Sequence, residues 1–345
     1  MEEKLLYRYL SKYRTELMGV SILWVLWFHS NLELNFFPMN TVNRFFVFLK
    51  SIGYGGVDIF LLLSGMGVYN SLSKNDLSVY IKNRLKRIIP TWWIGYSVIT
   101  LANIKLFSVS YSPIEIIGGM TLTGFLTQLP NQGNWYVSFI VLLYFVAPIF
   151  HSIYKDGKNK SLVCILLVIL SLVITVPFWG NSRLIGISRI PIFVIGMYIS
   201  ANRDYLKLNF VSYMVFIVLL IVGSVILIKC LNCETQIRWD YALWWYPFIL
   251  ITPVLSLMLA LVFDLVRNLK TVLWLFRICG TSSLEILIVS DFFIYNLGKI
   301  IGIDAQNRKF ILATIILSII MGVLLHTVIN KMIDIFRNKM KIITY

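Results

Sequence analysis

Ten long apolar runs follow one another along this chain of 345 residues, and they limit what it can fold into. Each run has about the length of a helix that crosses a bilayer, which needs roughly 20 mostly apolar residues. Because backbone polar groups in lipid must be paired within the spanning structure, helices are the expected form. The sequence therefore predicts an all-α polytopic integral membrane protein with about ten transmembrane helices. The runs cover residues 17–36, 53–72, 88–107, 134–152, 161–180, 185–201, 209–229, 242–263, 280–298 and 310–330.

Composition and the order of the segments support one membrane domain over residues 1–345. Hydrophobic residues make up 58% of the chain and charged residues 14%, whereas soluble proteins average about 25% charged residues. No fused soluble domain is expected. The basic start leads directly into the first run, which predicts an uncleaved anchor. The short apolar stretch 113–128 is expected to be interfacial or re-entrant.

Positive charge is divided unevenly between the two sides of the predicted bundle. About two thirds of the 31 Lys and Arg residues fall in the segments that share a side with both ends of the chain. Cytoplasmic loops carry such an excess of basic residues, so both termini are expected in the cytoplasm. The formal net charge of +15 is explained in the same way, and no nucleic-acid partner is predicted.

Ionisable residues within apolar runs are costly and usually face a cavity or a polar partner. His29 lies about twelve residues into the first run, roughly 18 Å from its start at about 1.5 Å of rise per residue. Asp58 falls at a similar depth in the second run. Arg84 and Arg87, three residues apart on one helix face, fall at the cytoplasmic end of the third run, and Arg14 precedes the first.

Six segments, taken in order, carry a recognisable pattern. The segments are Arg14 with His29, Gly55 to Gly65, Arg84-x-x-Arg87 with Pro90, Trp135 to Ser138, Arg189 to Gly196, and Ser283 to Leu287. Taken together they resemble the acyltransferase 3 family of bacterial integral-membrane acyltransferases, and the likeness extends over nearly the whole chain.

Two positions depart from that pattern. The family often has Asp-x-x-Arg where this chain has Thr15 to Met18, so Arg14 and Glu16 are expected to form the ion pair in shifted register. A late histidine of the family is replaced by Ser290. No second catalytic histidine is therefore assigned, and His326 is interpreted as structural.

The resemblance implies transfer of an acyl group, commonly acetyl, from acetyl-CoA to a hydroxyl of a glycan, glycolipid or related acceptor. It also implies a multi-pass protein of the bacterial cytoplasmic membrane, with acyl-CoA as donor substrate and no permanently bound cofactor. Neutral histidine suits removal of a hydroxyl proton, and a carboxylate can orient its ring. The expected roles are catalysis by His29 and Asp58, binding of the coenzyme phosphates by Arg84, Arg87 and Arg14, and contact with the acceptor by Arg189 and Trp135.

Other interpretations stay open at this stage. His29 and Asp58 are also typical of polar contacts inside a helix bundle, and Arg189 has Asp291 as an alternative partner. Arg84 and Arg87 also fit a positive-inside anchor, and Trp135 an aromatic belt. Cys230 and Cys233 have CxxC spacing without a second pair or a histidine cluster, so no metal site is predicted, and either a disulfide or two idle thiols fit.

As a whole, the sequence admits two competing function classes. A transporter or flippase for glycolipids or small solutes would also have many spans and buried charges, although no inverted repeat is visible. A glycan polymerase or ligase would be expected to carry a long outer loop rich in Arg and His, and the outer loops here are short.

Overall fold

Helices form nearly all of the chain that the computed structural model describes, residues 5–30, 41–131, 133–301 and 307–343. Apart from an isolated bridge between Leu5 and Lys207, no β-structure occurs among these residues. The expected all-α class is confirmed. The helices are α1 (Leu6–Lys12), α2 (Arg14–His29), α3 (Thr41–Ser51), α4 (Gly56–Leu72), α5 (Leu77–Phe107), α6 (Pro113–Met120), α7 (Gly124–Thr127), α8 (Trp135–Asp156), α9 (Lys160–Thr175), α10 (Leu184–Ile187), α11 (Ile190–Ala201), α12 (Phe210–Leu231), α13 (Thr235–Asp240), α14 (Phe248–Leu265), α15 (Lys270–Thr281), α16 (Ser283–Ile301) and α17 (Arg308–Ile343).

Within the described residues, six segments are long and apolar enough to cross a membrane. Two bent pairs of helices raise the number to eight if each pair is one span: α3 with Gly53–Leu72, bent by 46°, and α15 with Ser283–Ile294, bent by 75°. The predicted first span extends to residue 36, and its residues after 30 lie outside the described part of the chain. About ten spans and cytoplasmic termini stay predictions. The six segments are Trp135–Asp156, Lys160–Phe178, Leu184–Ala201, Phe210–Leu231, Phe248–Leu265 and Arg308–Ile335.

Helices differ in how much of their surface the bundle covers. Only 11% of the apolar window of α12 is buried, against 78% for the segment Leu184–Ala201 that contains α11. An apolar helix that buries so little is suited to contact with lipid, whereas α11 lies inside the bundle. The main packing partner of α11 is α4, and α2 packs closely against α15.

Two glycines allow α4 and α11 to pack at short range. A Cβ atom on Gly65 would collide with the backbone oxygen of Phe193, and one on Gly196 would collide with the backbone oxygen of Leu62. Small residues at such crossings let helix backbones approach closely. Their contact fixes the position of α4 relative to the start of α11, where the charged residues described below meet.

The stretch predicted to be interfacial or re-entrant forms two short helices, α6 and α7, neither long enough to span a bilayer. A capping box begins α6, in which hydrogen bonds from Ser112 hold the pKa of Glu115 below its usual range. The indole of Trp92 on α5 donates to the backbone oxygen of Gly119 at 2.7 Å, which ties α6 to α5. At the end of α12, Cys230 and Cys233 are free thiols.

Candidate active site

A cavity lined by arginine side chains lies beside the N-terminal end of α2. Its volume is about 330 Å³. None of the described residues that line it is acidic, so its positive charge is not neutralised from within. We call it the arginine cavity, and it is lined by Arg14, Met18, Phe60, Ser64, Ser71, Asn83, Arg84, Arg87, Ile88, Tyr136, Ile140, Tyr144, Ser283, Leu284 and Leu287.

The guanidinium groups of Arg14 and Arg84 meet at one glycine of α4. Arg84 donates from Nη2 to the backbone oxygen of Gly67 at 2.7 Å, and a Cβ atom on Gly67 would lie 2.8 Å from Nη2 of Arg14. The Nε of Arg14 is buried without a hydrogen-bond partner among the described residues. The guanidinium of Arg84 also lies 5.3 Å from the ring centre of Tyr144. Arginines held this close, with spare donors, are a site for an anion.

The acid two residues after Arg14 faces a different helix. Glu16 is 1% exposed and accepts from Nε of Arg277, on α15, at 2.6 Å. The expected ion pair between Arg14 and Glu16 is therefore wrong, because residues two apart on a helix face different sides and Glu16 faces α15. This pairing leaves the charge of Arg14 directed toward the arginine cavity.

A second cavity lies at the opposite end of α2 and contains His29. Its volume is about 250 Å³, and half of the described residues that line it are Phe, Tyr or Trp. We call it the histidine cavity, and it is lined by Ile22, Val25, Phe28, His29, Tyr54, Val57, Phe60, Asn134, Trp135, Tyr136, Ile185, Arg189, Trp239, Trp244, Trp245 and Leu287.

Arg189 crosses from this wall to a buried acid. Its Nη1 lies 3.4 Å from Oδ1 of Asp58, and the two side chains are 1% and 0% exposed. The same Nη1 donates to the backbone oxygen of Tyr54 at 3.3 Å. The guanidinium sits 5.5 Å from the ring centre of Trp135 and 5.6 Å from that of Trp245, within cation–π range. Arg189 thus links the aromatic wall of the cavity to α4.

The structure gives Asp58 and Asp291 different partners from those expected from the sequence. Asp58 was expected to orient His29, but it pairs with Arg189 and is not among the described residues that line the histidine cavity. Asp291, the alternative partner of Arg189, instead accepts from Nδ2 of Asn134 at 2.7 Å. The direct catalytic role of Asp58 stays a prediction, which its pairing with Arg189 does not support.

His29 is the last residue of α2 and is exposed, with its ring directed to the histidine cavity. The ring of Phe28 meets it edge-on, with ring centres 5.0 Å apart. A histidine in this position can reach a molecule that enters the cavity. Of the seven residues predicted for the site, the arginine cavity thus contains Arg14, Arg84 and Arg87, and the histidine cavity contains His29, Trp135 and Arg189.

Comparison with known protein families identifies the family of the chain. The model of the acyltransferase 3 family, described as an acyltransferase domain, matches residues 17–329. The chain belongs to the acyltransferase 3 family. No curated protein and no solved structure showed significant similarity to it. As a member of this family with several apolar helices, the chain is a membrane acyltransferase.

In this acyltransferase the described motif segments surround the two cavities. The second-span segment contributes Phe60 to both cavities, and the fourth-span segment contributes Tyr136 to both. The late segment contributes Ser283 to the arginine cavity and Leu287 to both cavities. No group of three or more His, Cys, Asp or Glu residues that could hold a metal ion occurs in the described part of the chain.

Sequence reasoning missed a group of aromatic residues in the histidine cavity. Trp239, Trp244 and Trp245 come from the segment before α14, and three tryptophans within seven residues were the available signal. The guanidinium of Arg238 lies 4.1 Å from the ring centre of Trp244. The indole nitrogen of Trp244 and the hydroxyl of Tyr54 are buried without hydrogen-bond partners among the described residues.

A separate polar cluster lies between α16, α17 and α5. His326 Nδ1 is 3.0 Å from Oε1 of Glu285, which also accepts from the hydroxyl of Thr91 at 3.2 Å. The other ring nitrogen of His326 lies 2.9 Å from Nδ2 of Asn330. None of these four residues is among the described lining of either cavity. These contacts agree with the structural interpretation of His326.

Proposed function

We propose that this acyltransferase is a bacterial cytoplasmic-membrane O-acyltransferase that moves an acyl group, acetyl in the simplest case, from acyl-CoA to a hydroxyl of a cell-envelope glycan or glycolipid. One observation carries the proposal: a cavity rich in unneutralised arginine and a cavity containing an accessible histidine lie at opposite ends of the same helix, α2. The first suits a polyanionic donor and the second suits deprotonation of an acceptor.

Coenzyme A carries its negative charge on phosphate groups, which makes the arginine cavity its proposed binding site. Guanidinium groups form bidentate, charge-assisted hydrogen bonds with phosphate oxygens. Arg14, Arg84 and Arg87 supply several such donors, and no described acidic residue in the lining competes for them. Acyl-CoA is a substrate in this scheme, and no permanently bound cofactor is required.

The proposed reaction joins an acceptor hydroxyl to the acyl carbon in the histidine cavity. A C–O bond forms and the C–S bond of the thioester breaks. His29 takes the hydroxyl proton, and this proton is then passed to the departing coenzyme A thiolate. Removing the proton as the C–O bond forms avoids a free alkoxide on the acceptor, and a histidine side chain suits this proton transfer.

The wall of the histidine cavity supports a polyhydroxylated acceptor. Trp135, Trp239 and Trp245 offer flat apolar faces, while the hydroxyl of Tyr54 and the indole nitrogen of Trp244 have no partners among the described residues. Ligand sites commonly combine an apolar surface with a few unpaired polar groups that fix orientation. A sugar ring has both apolar C–H faces and hydroxyl groups, and it matches this wall.

Transfer of label tests the proposed function. Membranes containing the protein, supplied with radiolabelled acetyl-CoA and with bacterial envelope material as acceptor source, are expected to place label on a glycan or glycolipid fraction as a base-labile ester. Membranes from the same host without the protein are the control. Movement of unlabelled glycolipid across the bilayer with no esterified label would contradict the proposal and favour the transporter.

Charge reversal of Arg84 and Arg87 tests the donor site. The double substitution Arg84→Glu and Arg87→Glu is expected to weaken coenzyme A binding by about two orders of magnitude or more, because each lost hydrogen bond to a charged group contributes about 1.5–3 kcal/mol. The affinity of purified protein for coenzyme A, measured by calorimetry, gives the result. Arg84 and Arg87 line the cavity, whereas Lys82 and Lys86 on the same helix are exposed and outside its described lining.

The matched control is therefore Lys82→Glu with Lys86→Glu, which makes the same change in net charge on the same helix. Binding by this control is expected to stay within a few-fold of the unmodified protein at physiological salt, where distant charges are largely screened. Equal affinities in the arginine variant and the lysine variant would overturn the assignment of the arginine cavity.

A further inference from the structure

We propose that Phe60, Tyr136 and Leu287 form a partition that sets the size of the acyl group able to pass from the arginine cavity to the histidine cavity. This inference rests on the proposed function, since it concerns the route of the donor. Its three residues come from three helices, α4, α8 and α16. We refer to them as the partition.

The partition is defined by a shared boundary. Phe60, Tyr136 and Leu287 are the described residues that line both cavities, so one surface of each side chain faces the arginines and another faces the cavity of His29. Phe60 and Tyr136 are in contact, with ring centres 6.2 Å apart and planes inclined by 48°. Phe60 is 8% exposed and belongs to a buried apolar cluster against which Tyr136 and Leu287 pack.

The placement of the two cavities makes this boundary part of the route. Arg14 begins α2 and His29 ends it, and a helix of 16 residues is about 24 Å long. A thioester whose phosphates are held near Arg14 has to extend through the bundle to bring its acyl carbon to His29. The two cavities have no other described residue in common, so these three side chains mark where the cavities adjoin.

The chemistry of the partition favours a small acyl group. Two aromatic rings and a leucine in a close-packed interior can open a narrow gap by rotamer changes, but additional methylene groups would need a wider rearrangement of packed neighbours. The same apolar wall keeps water in one cavity from reaching a thioester in the other. A wall of this kind would discriminate between acyl chains by length and leave the coenzyme moiety unaffected.

Neighbouring residues supply the controls because they line one cavity only. Ile140 is 3% exposed, lies one turn from Tyr136 on α8, and lines the arginine cavity alone. Truncating Ile140 removes the same number of side-chain carbons as truncating Leu287, and Ile140 is the more buried of the two. A change in probe selectivity shared by Ile140→Ala and Leu287→Ala would therefore indicate a loss of packing. A change confined to Leu287→Ala would indicate that the acyl group passes Leu287.

The test replaces His29 with cysteine and measures which acyl-CoA probes react with the introduced thiol. In the His29→Cys variant, 2-bromoacetyl-CoA is expected to alkylate the introduced thiol: the thiolate attacks the carbon that bears bromine, a C–S bond forms, the C–Br bond breaks and bromide leaves. The probe 2-bromohexanoyl-CoA reacts in the same way but has four more carbons to bring through the partition. Peptide mass spectrometry separates this adduct from any on Cys164, Cys230, Cys233 and Cys279.

Rates for both probes are divided by their rates with glutathione, which removes the difference in intrinsic reactivity. In the His29→Cys background, Phe60→Ala and Leu287→Ala are expected to raise the hexanoyl-to-acetyl rate ratio at least about tenfold, since one methylene group in an apolar pocket can change discrimination by roughly 10- to 200-fold. Leu287→Trp is expected to slow both probes. Ile140→Ala is expected to leave the ratio unchanged.

Three negative results have different meanings, and coenzyme A affinity measured on each variant helps to separate them. If coenzyme A binds and the short probe labels the introduced thiol, yet the rate ratio in Phe60→Ala and Leu287→Ala equals that of Ile140→Ala, the partition proposal is overturned and the proposed function stands. If coenzyme A does not bind the unmodified protein, the proposed function itself fails. If coenzyme A binds but neither probe reaches the introduced thiol in any variant, the route past Phe60, Tyr136 and Leu287 is overturned.

Discussion

Replacing His29 with alanine is expected to abolish acyl transfer while leaving the protein folded and inserted in the membrane. Loss of a general base typically lowers a rate by about 10²–10⁴-fold, which places transfer near the background of most assays. His29 ends α2 and is exposed to the histidine cavity, so shortening its side chain opens no void in a packed core. The transfer of radiolabelled acetyl groups and the thermal unfolding of the purified variant in detergent measure the two parts of this prediction.

The other two histidines supply the comparison. His151 on α8 lies 3.1 Å from the hydroxyl of Ser73 and is not among the described residues of either cavity. His151→Ala is therefore expected to retain transfer near the level of the unmodified protein. A His29→Ala variant with full activity and normal yield would remove His29 from the role of base. Loss of activity in both histidine variants would point to a general effect on folding.

Much of the site's layout followed from counting residues along helices. Arg14 and His29 are at the two ends of one helix in the structure, as their spacing in sequence required. The face shared by Arg84 and Arg87 was likewise set by their separation of three residues, and both line the same cavity. The position of a residue along a helix, and the face on which it lies, can be predicted from sequence because helix geometry is regular.

The pairing of charges could not be read in this way. Glu16 meets Arg277, a residue 261 positions away, and Asp58 meets Arg189 across the packing of α4 on α11. Which acid meets which base depends on how helices cross, and that crossing is set by contacts such as the one at Gly65. One sequence alone allows several acid–base pairs, because it does not show which helices pack against each other.

The tryptophans of the histidine cavity were missed for a related reason. Trp244 and Trp245 precede an apolar helix, and aromatic residues in that position are typical of an interfacial belt. In the structure Trp245 is 3% exposed and packs against the guanidinium of Arg189. The sequence pattern indicates an aromatic residue near a helix start, but only the tertiary arrangement decides whether its ring faces lipid or a cavity.

Breaking the ion pair between Asp58 and Arg189 is expected to have the largest effect on stability. Both side chains are almost completely buried, at 0% and 1% exposed. Removing one partner of a buried pair typically costs about 3–5 kcal/mol, because the remaining charge is left without compensation. Asp58→Asn is expected to be the worse of the two single substitutions, since a guanidinium cannot lose its proton under these conditions. In Arg189→Met, by contrast, the remaining carboxyl group can be neutralised by binding a proton.

A double-mutant cycle tests whether this cost belongs to the pair. Combining Asp58→Asn with Arg189→Met removes both charges and is expected to recover much of the stability lost by Asp58→Asn, measured as the unfolding temperature in detergent. Arg203 and Asp204 give a matched control, because their atoms also lie 3.4 Å apart but the side chains are 50% and 73% exposed. Asp204→Asn is expected to cost less than about 1 kcal/mol, since solvent screens the pair. Additive losses in the Asp58 and Arg189 cycle would show that each residue stabilises the fold independently. In that case their burial near the histidine cavity would need a different explanation from the ion pair.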